Sequence, residues 1–228
     1  MLNIQDFLQK LKEYYQKRDR IIALYVLFIL GLFFLLISAF VYFIPTTYLD
    51  IELTREIQED KDPAFDLFMK IVSIFGENQW GIVSIVVTAI LFKIFSMQRE
   101  AIFILLTSVA SIVNFGMKML VARPRPTEDL VQVFKIAHNN SFPSGHTVHY
   151  VVFFGFLVVL LFRLKKLNKY LRILLGIIFL TLIFSVPFSR VYLGVHWFTD
   201  VLAGFFLGLI FLAWLLYFYF KKPYELKK

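Results

Sequence analysis

The feature that most constrains this sequence is a series of long apolar runs with almost no charged side chains. The first extends from residue 21 to residue 45 without a single charge. About 20 such residues are enough for a helix to cross the hydrocarbon core of a bilayer. Since 59% of the residues are hydrophobic, a water-soluble globular enzyme and a disordered chain are excluded. The absence of cysteine also excludes a disulfide scaffold, a thiol nucleophile and a thiolate metal site.

Six runs qualify as membrane spans, and they predict an all-α polytopic membrane protein with six transmembrane helices in a bundle. The predicted spans cover residues 21–45, 80–95, 101–117, 144–162, 173–189 and 201–220. The second span is short, and residues 63–76 either extend it or form an amphipathic helix in the interface. We treat residues 1–228 as one membrane-embedded domain. In the sixth span, Gly204 and Gly208 predict close packing between helices.

The distribution of lysine and arginine predicts how the spans are oriented. If the N-terminus is cytoplasmic and all six spans cross, 16 of these residues lie inside and 8 lie outside. Both termini, including the basic segment 1–20, are therefore expected in the cytoplasm, and the protein in the cell membrane. The net charge of +8 is assigned to topology and to contact with anionic bilayer lipids, and no nucleic-acid partner is expected.

Three clusters of polar residues fall at the predicted outer ends of the spans. They are Lys118 to Pro126, Pro143 to His146, and Ser189 to Asp200. An ionisable side chain at membrane depth is costly, so each one is a candidate for function. The three clusters together predict one site on the outer face.

The cations in these clusters suit a phosphate ligand. Lys118, Arg125 and Arg190 are permanent or near-permanent cations, and one multiply charged anion would satisfy all three. Ser144 and Gly145 directly precede an apolar helix, where a hydroxyl and free backbone N–H groups can bind an anion.

The histidines suit phosphoryl transfer. His196 and Asp200 are four residues apart and would share a face if this stretch is helical. The carboxylate can then fix the imidazole tautomer, which leaves the other ring nitrogen free to attack. His146 remains available for proton transfer to the leaving oxygen.

These residues form the patterns K-x6-R-P, P-S-G-H and S-R-x5-H-x3-D, with every spacing met. The set resembles the type 2 phosphatidic acid phosphatase superfamily, which also includes vanadium haloperoxidases. The resemblance implies that His196 forms a phosphohistidine, that Asp200 orients it, and that His146 protonates the leaving group and then activates water. It also implies that no metal and no cofactor take part. The residues that it assigns to phosphoryl binding are Lys118, Arg125, Ser144, Gly145 and Arg190.

The resemblance implies a lipid phosphatase that acts on a phosphomonoester or a diphosphate at the outer leaflet. Candidate substrates are phosphatidic acid, phosphatidylglycerol phosphate and undecaprenyl pyrophosphate. A lipid phosphotransferase with the same intermediate stays open, and a non-enzymatic transporter of anionic lipids is the weaker alternative. The oligomeric state and the physiological lipid stay open as well.

Several other residues are expected to have ordinary roles. Arg123 and Lys135 are interpreted as anchors for topology or lipid headgroups. The acidic run 50–62 is interpreted as a solvated loop. His149 is expected to pack or to support the site from behind, and Gly194 is expected to form a turn.

Overall fold

The computed structural model describes residues 4–59, 62–135, 137, 139–164 and 167–221, and the side chains of all of these except residues 4–20 and 78. Within these ranges the protein consists of nine α-helices and one 3-10 turn, with no strand. The all-α prediction is therefore confirmed. The helices are α1 (Ile4–Phe43), α2 (Tyr48–Ile57), α3 (Pro63–Ser73), α4 (Asn78–Ile94), α5 (Gln98–Leu106), α6 (Ser108–Val121), α7 (Gly145–Arg163), α8 (Lys169–Tyr192) and α9 (Phe198–Phe220).

In the part of the chain that the structure describes, five helical stretches are long and apolar enough to cross a membrane. They are Ile21–Phe43 within α1, Gln98–Val121 formed by α5 and α6, and the whole of α7, α8 and α9. The second predicted span corresponds to α4, which is joined to α3 through the turn Ile74–Gly76 at an angle of 58°. The bundle therefore has six spans when this bent pair is counted as one.

The bend between α3 and α4 has a local cause. Asp62 caps α3 by accepting a hydrogen bond of 2.8 Å from the backbone N–H of Ala64, and Pro63 occupies the first helical position. The helix then tightens into the 3-10 turn, and Glu77 adopts an extended conformation with φ −65° and ψ 138°. Since an extended residue interrupts the helical hydrogen bonds, α4 starts in a new direction.

Helix α7 lies at the centre of the bundle and packs against α6, α8 and α9. Two glycines of α9 bring it close to α7: a Cβ on Gly204 would lie 2.8 Å from the carbonyl oxygen of Ser144, and one on Gly208 would lie 2.7 Å from Cβ of Val151. The predicted close packing at these glycines is confirmed. Helix α1 packs against α9 and exposes many large apolar side chains, as a lipid-facing helix does.

The ends of the helices define two faces. Helices α6 and α8 end at one face, and α7 and α9 begin there, next to the loops 122–143 and 193–197. At the opposite face, Nη2 of Arg99 donates a 2.6 Å hydrogen bond to the carbonyl of Tyr219. The three sequence clusters therefore meet at a single face, away from the last residues of α9.

Candidate active site

His196 and Asp200 lie together, although they do not share one helix. Helix α9 begins only at Phe198, so His196 precedes it and Asp200 lies in its first turn. Nδ1 of His196 is 3.5 Å from Oδ2 of Asp200. The hydroxyl of Ser141 lies between the two groups, 3.3 Å from that nitrogen, and donates a 2.5 Å hydrogen bond to the same carboxylate oxygen. The helical pairing expected from the sequence is thus replaced by a loop-to-helix pairing assisted by Ser141.

Asp200 is held from several sides. Its Oδ2 accepts a 2.9 Å hydrogen bond from the backbone N–H of Trp197, which caps the start of α9. Its Oδ1 accepts a 2.5 Å charge-assisted bond from Nη1 of Arg123. The carboxylate is fully buried. Its position relative to His196 is therefore set by the fold and does not depend on a bound ligand.

The environment of His196 keeps the imidazole neutral. Burial, followed by the nearby cations Arg125 and Lys118, holds the pKa of His196 well below its ordinary value of 6.5. Since Nδ1 faces Ser141 and Asp200, Nε2 is the ring nitrogen that lies near the cations, 3.4 Å from Nη1 of Arg125. A neutral imidazole in this orientation directs its free lone pair toward the position where a bound anion would be held.

Lys118 and Arg125 are both attached to the loop segment 139–141. Nζ of Lys118 donates to the carbonyls of Asn140 and Ser141 at 2.6 and 3.0 Å. Arg125 donates through Nε to the carbonyl of Asn139 at 2.6 Å, and through Nη1 to the carbonyl of Val195. Because an ammonium group has three N–H donors, Lys118 retains one for a ligand.

Arg190 is the least satisfied of the three cations. It is only 3% exposed, and within the described ranges its Nε and Nη1 have no hydrogen-bond partner. The nearest acidic oxygen is Oε1 of Glu77, 3.8 Å from Nη1. Buried N–H donors without a hydrogen-bond partner are costly, so these two nitrogens of Arg190 indicate a place for an anionic ligand.

The N-terminus of α7 lies at the site as expected. Gly145 is the first residue of the helix, and Ser144 precedes it as the N-cap. The backbone N–H of Ser144 donates to the carbonyl of Asp200 at 3.0 Å, and its hydroxyl accepts a 3.0 Å bond from the hydroxyl of Thr147. Ser144 therefore ties α7 to α9, and its described hydrogen bonds do not reach the three cations.

His146 lies on the first turn of α7, close to an acidic residue that the sequence clusters do not include. Its Nε2 is 3.4 Å from Oε1 of Glu77. The same oxygen forms an ion pair with the ammonium group of Lys135, whose Nζ lies 2.7 Å away. Lys135, expected to be an anchor for topology or lipid headgroups, is about half exposed and pairs with Glu77 through its ammonium group.

Arg123 is not a headgroup anchor. It is 1% exposed and bridges two buried carboxylates, with Nη2 at 2.7 Å from Asp50 and Nη1 at 2.5 Å from Asp200. Asp50 in turn accepts hydrogen bonds from the backbone and hydroxyl of Thr199, each at 3.0 Å. The interpretation of the acidic run as wholly solvated is wrong at this residue, since α2 is anchored through Asp50 to the start of α9.

Comparison with known proteins agrees with this arrangement. The model of the family described as PAP2 superfamily matches residues 99–224. The chain belongs to the PAP2 superfamily. Membership confirms the resemblance found in the three sequence patterns.

Three curated relatives are similar to this PAP2 chain. Phosphatidylglycerophosphatase B of Bacillus subtilis is 40% identical over 105 residues, which are 43% of this chain and 47% of the relative. An undecaprenyl-diphosphatase of Sulfolobus acidocaldarius is 32% identical over 193 residues, which are 81% of this chain and 86% of the relative. The bacitracin transport permease protein BcrC of Bacillus licheniformis is 37% identical over 107 residues, 45% of this chain and 46% of the relative. The chain thus spans about half the length of two of these relatives.

Two solved structures share the PAP2 fold of this chain at 24% identity each. A transmembrane PAP2-type phosphatidylglycerolphosphate phosphatase from Bacillus subtilis has a TM-score of 0.75 and covers 88% of this chain and 100% of its own. LpxE from Aquifex aeolicus has a TM-score of 0.57 and covers 76% of this chain and 98% of its own. These similarities confirm a multi-pass membrane fold.

The sequence patterns do not predict the contacts of four residues at this PAP2 site, namely Asp50, Glu77, Arg123 and Ser141. Glu77 directly precedes the second span at the same face as the motifs, so the rule that selects Lys118 would also have selected it. Ser141 precedes the P-S-G-H pattern by two residues, and no feature of its own marks it. Two expectations are confirmed: His149 packs on Phe153 with ring centroids 5.3 Å apart, and Gly194 forms a turn with φ 64°.

Proposed function

We propose that this protein is a membrane lipid phosphatase that forms a phosphohistidine at His196. The observation that carries the proposal is a buried imidazole, oriented by Asp200, beside a cluster of cations that includes the unsatisfied Arg190. Membership of the PAP2 superfamily and the printed names of two relatives, a phosphatidylglycerophosphatase and an undecaprenyl-diphosphatase, support it.

Positively charged side chains bind the phosphate group of the substrate first. The free donors of Arg190 and the remaining N–H of Lys118 receive the phosphoryl oxygens, and the Arg125 guanidinium next to Nε2 of His196 brings phosphorus toward that nitrogen. The N–H groups at the start of α7, at Gly145, add a positive helix end to the same place. The cations stabilise the additional negative charge on the phosphoryl oxygens in the transition state.

The reaction then proceeds in two transfers. Nε2 of His196 attacks phosphorus, the bond from phosphorus to the leaving oxygen breaks, and that oxygen takes a proton from His146. Water next attacks the phosphohistidine, gives its proton to His146, and the phosphorus–nitrogen bond breaks to release phosphate. His196 returns to its neutral form, and Asp200 stabilises the positive ring between the two steps.

The position of the site favours a substrate with its phosphate at the membrane surface. The three clusters lie at the ends of the spans, and the lipid-facing sides of α1 and α8 carry large exposed apolar residues. A lipid can therefore keep its chains in the bilayer while its phosphate reaches the cations. Phosphatidic acid, phosphatidylglycerol phosphate and prenyl diphosphates all meet this requirement.

We also propose that the site faces the outside and that both termini face the cytoplasm. Of the eight lysines and arginines that the sequence count assigns to the outside, Lys118, Arg123 and Arg190 are buried within the protein. Buried cations are not loop charges, so the loops at the site face are poorer in positive charge than the sequence count indicates. This supports the orientation in which the opposite, more basic face is cytoplasmic.

The test is acid-quench trapping of labelled phosphate on purified protein, together with phosphate release from the candidate lipids in detergent and EDTA. We expect a trapped phosphoenzyme, its loss in His196→Ala, and turnover that persists in EDTA. A phosphoenzyme in His196→Ala, a requirement for added Mg²⁺, or labelled phosphate that appears on a lipid acceptor instead of in solution would contradict the proposal.

A further inference from the structure

Glu77 occupies an unusual position for a carboxylate, because it lies within a site built for an anion. Its Oε1 is 3.4 Å from Nε2 of His146, 3.8 Å from Nη1 of Arg190 and 2.7 Å from Nζ of Lys135. Its side chain is one-third exposed, whereas those of His146 and Arg190 are 14% and 3% exposed. The hydrogen bond with His146, followed by the contacts with Lys135 and Arg190, lowers the pKa of Glu77 to about 2, so this carboxylate is ionised at neutral pH.

The chain holds Glu77 firmly against His146. The preceding Gly76 lies so close to the imidazole that a Cβ there would overlap the ring, at 2.6 Å from Cγ. The end of α3 is fixed in turn, because the hydroxyl of Tyr150 donates to the carbonyl of Val72, and the hydroxyls of Ser73 and Ser189 are 2.6 Å apart. Glu77 is therefore placed by packing and does not reach the site as a free surface side chain.

His146 needs such a partner for the role that it has in the proposed reaction. It must carry a proton to the leaving oxygen, yet the Arg190 guanidinium faces it, and the neighbouring imidazoles of His196 and His149 supply no negative charge. Positive neighbours disfavour a protonated imidazole. Of the described groups that face His146, Glu77 is the one with negative charge.

We infer that Glu77 is a positioning residue that favours the protonated form of His146 and orients its imidazole for proton transfer to the leaving group. The inference rests on the proposed function, since it assigns a partner to the general acid of that reaction. Glu77 stays ionised throughout and forms no bond to the substrate. The proton that moves belongs to His146, and water restores it in the second transfer.

The experiment compares Glu77→Gln with the unmodified protein on two substrates. Phosphatidic acid has an alkoxide leaving group that needs a proton, whereas p-nitrophenyl phosphate has a leaving group that does not. We expect kcat to fall about 10- to 100-fold on phosphatidic acid and by less than about 3-fold on the aryl phosphate. The basic limb of the pH profile on phosphatidic acid should move to lower pH, because an amide no longer favours the imidazolium.

Two further variants separate this role from a structural one. Lys135→Met removes the other ion pair of Glu77 but leaves the carboxylate beside His146, so the ratio of the two rates should not change. In a His146→Ala background, Glu77→Gln should have no further effect on phosphatidic acid. Equal loss on both substrates, no loss on either, or a faster reaction with a lower KM in Glu77→Gln would overturn the inference.

The proposed function is read out separately in the same samples. If the unmodified protein forms no phosphoenzyme at His196, the proposed function itself fails. If it does so and Glu77→Gln is unselective, only the role of Glu77 fails.

Discussion

Arg123 allows the strongest test of how the site is held together. Its guanidinium donates to the carbonyl of Pro45 at 2.6 Å, to the hydroxyl of Thr199 at 2.7 Å, and to the carboxylates of Asp50 and Asp200. Arg123→Gln keeps a polar side chain but removes the charge that both buried carboxylates share. Breaking a buried ion pair from one side costs about 3–5 kcal/mol, because the remaining charge is left uncompensated.

The chain offers a matched control in Arg55, which also pairs with an acidic residue but at the surface. Its Nη1 lies 3.4 Å from Oε1 of Glu52, and both side chains are about half exposed. Such a pair contributes about 0–1 kcal/mol. With about 2–4 °C per kcal/mol for a chain of this length, Arg123→Gln should lower Tm by about 6–20 °C and Arg55→Gln by less than about 4 °C.

The assay is thermal unfolding of each purified variant in one detergent, with phosphate release measured in parallel. A double-mutant cycle with Asp50→Asn should show coupling, so that the double variant loses less than the sum of the two single losses. Phosphate release should also fall in Arg123→Gln, because Asp200 loses one of its partners. An Arg123→Gln variant as stable as Arg55→Gln would refute the reasoning.

Three further predictions concern a turn, the state of an imidazole and the sidedness of the site. Gly194 has φ +64°, and a Cβ there would overlap a facing carbonyl, so Gly194→Ala should lower Tm. Gly176→Ala should not lower Tm, because a Cβ at Gly176 within α8 meets open space, and thermal unfolding of both variants checks this. Because the pKa of His196 is lowered, its ring should stay neutral as the pH falls through 6.5. ¹⁵N NMR of the four histidines measures this, with the His196 signals assigned from the His196→Gln variant, and titration of His196 at pH 6.5 or above would contradict the prediction. In this cysteine-free chain, Glu128→Cys should react with an impermeant maleimide on intact cells and Gln98→Cys only after lysis, and the reverse pattern would invert the topology.

The spans were predictable because membrane crossing depends on a local property. An apolar run of sufficient length has to form a helix in a bilayer, whatever surrounds it, since its backbone groups need partners within the segment. The predicted second span at residues 80–95 accordingly falls within one residue of the end of α4, at Ile94. The 58° bend before it depends on a 3-10 turn and an extended Glu77, which leave no mark in hydropathy.

The gathering of the three clusters was also predictable, for a topological reason. Successive spans alternate in direction, so the outer ends of the third, fourth, fifth and sixth spans meet at one face. This placed Lys118, His146, Arg190 and His196 together before any tertiary contact was known. The alternation of the spans did not indicate that His196 lies outside α9, because the pattern H-x3-D fits residues within a helix and residues that flank its N-terminus equally well.

The sequence by itself determined the membrane class, the helical architecture and the residues that carry the motif spacing, because each depends on runs or intervals within one segment. Only the tertiary structure decided which partners those residues have. Arg123 meets Asp50 across 73 positions, His146 meets Glu77 across 69, and Ser141 meets Asp200 across 59. Each pair joins separate elements, so contact follows from how the helices pack, and a buried charge is stabilised only by partners that packing brings within hydrogen-bond distance.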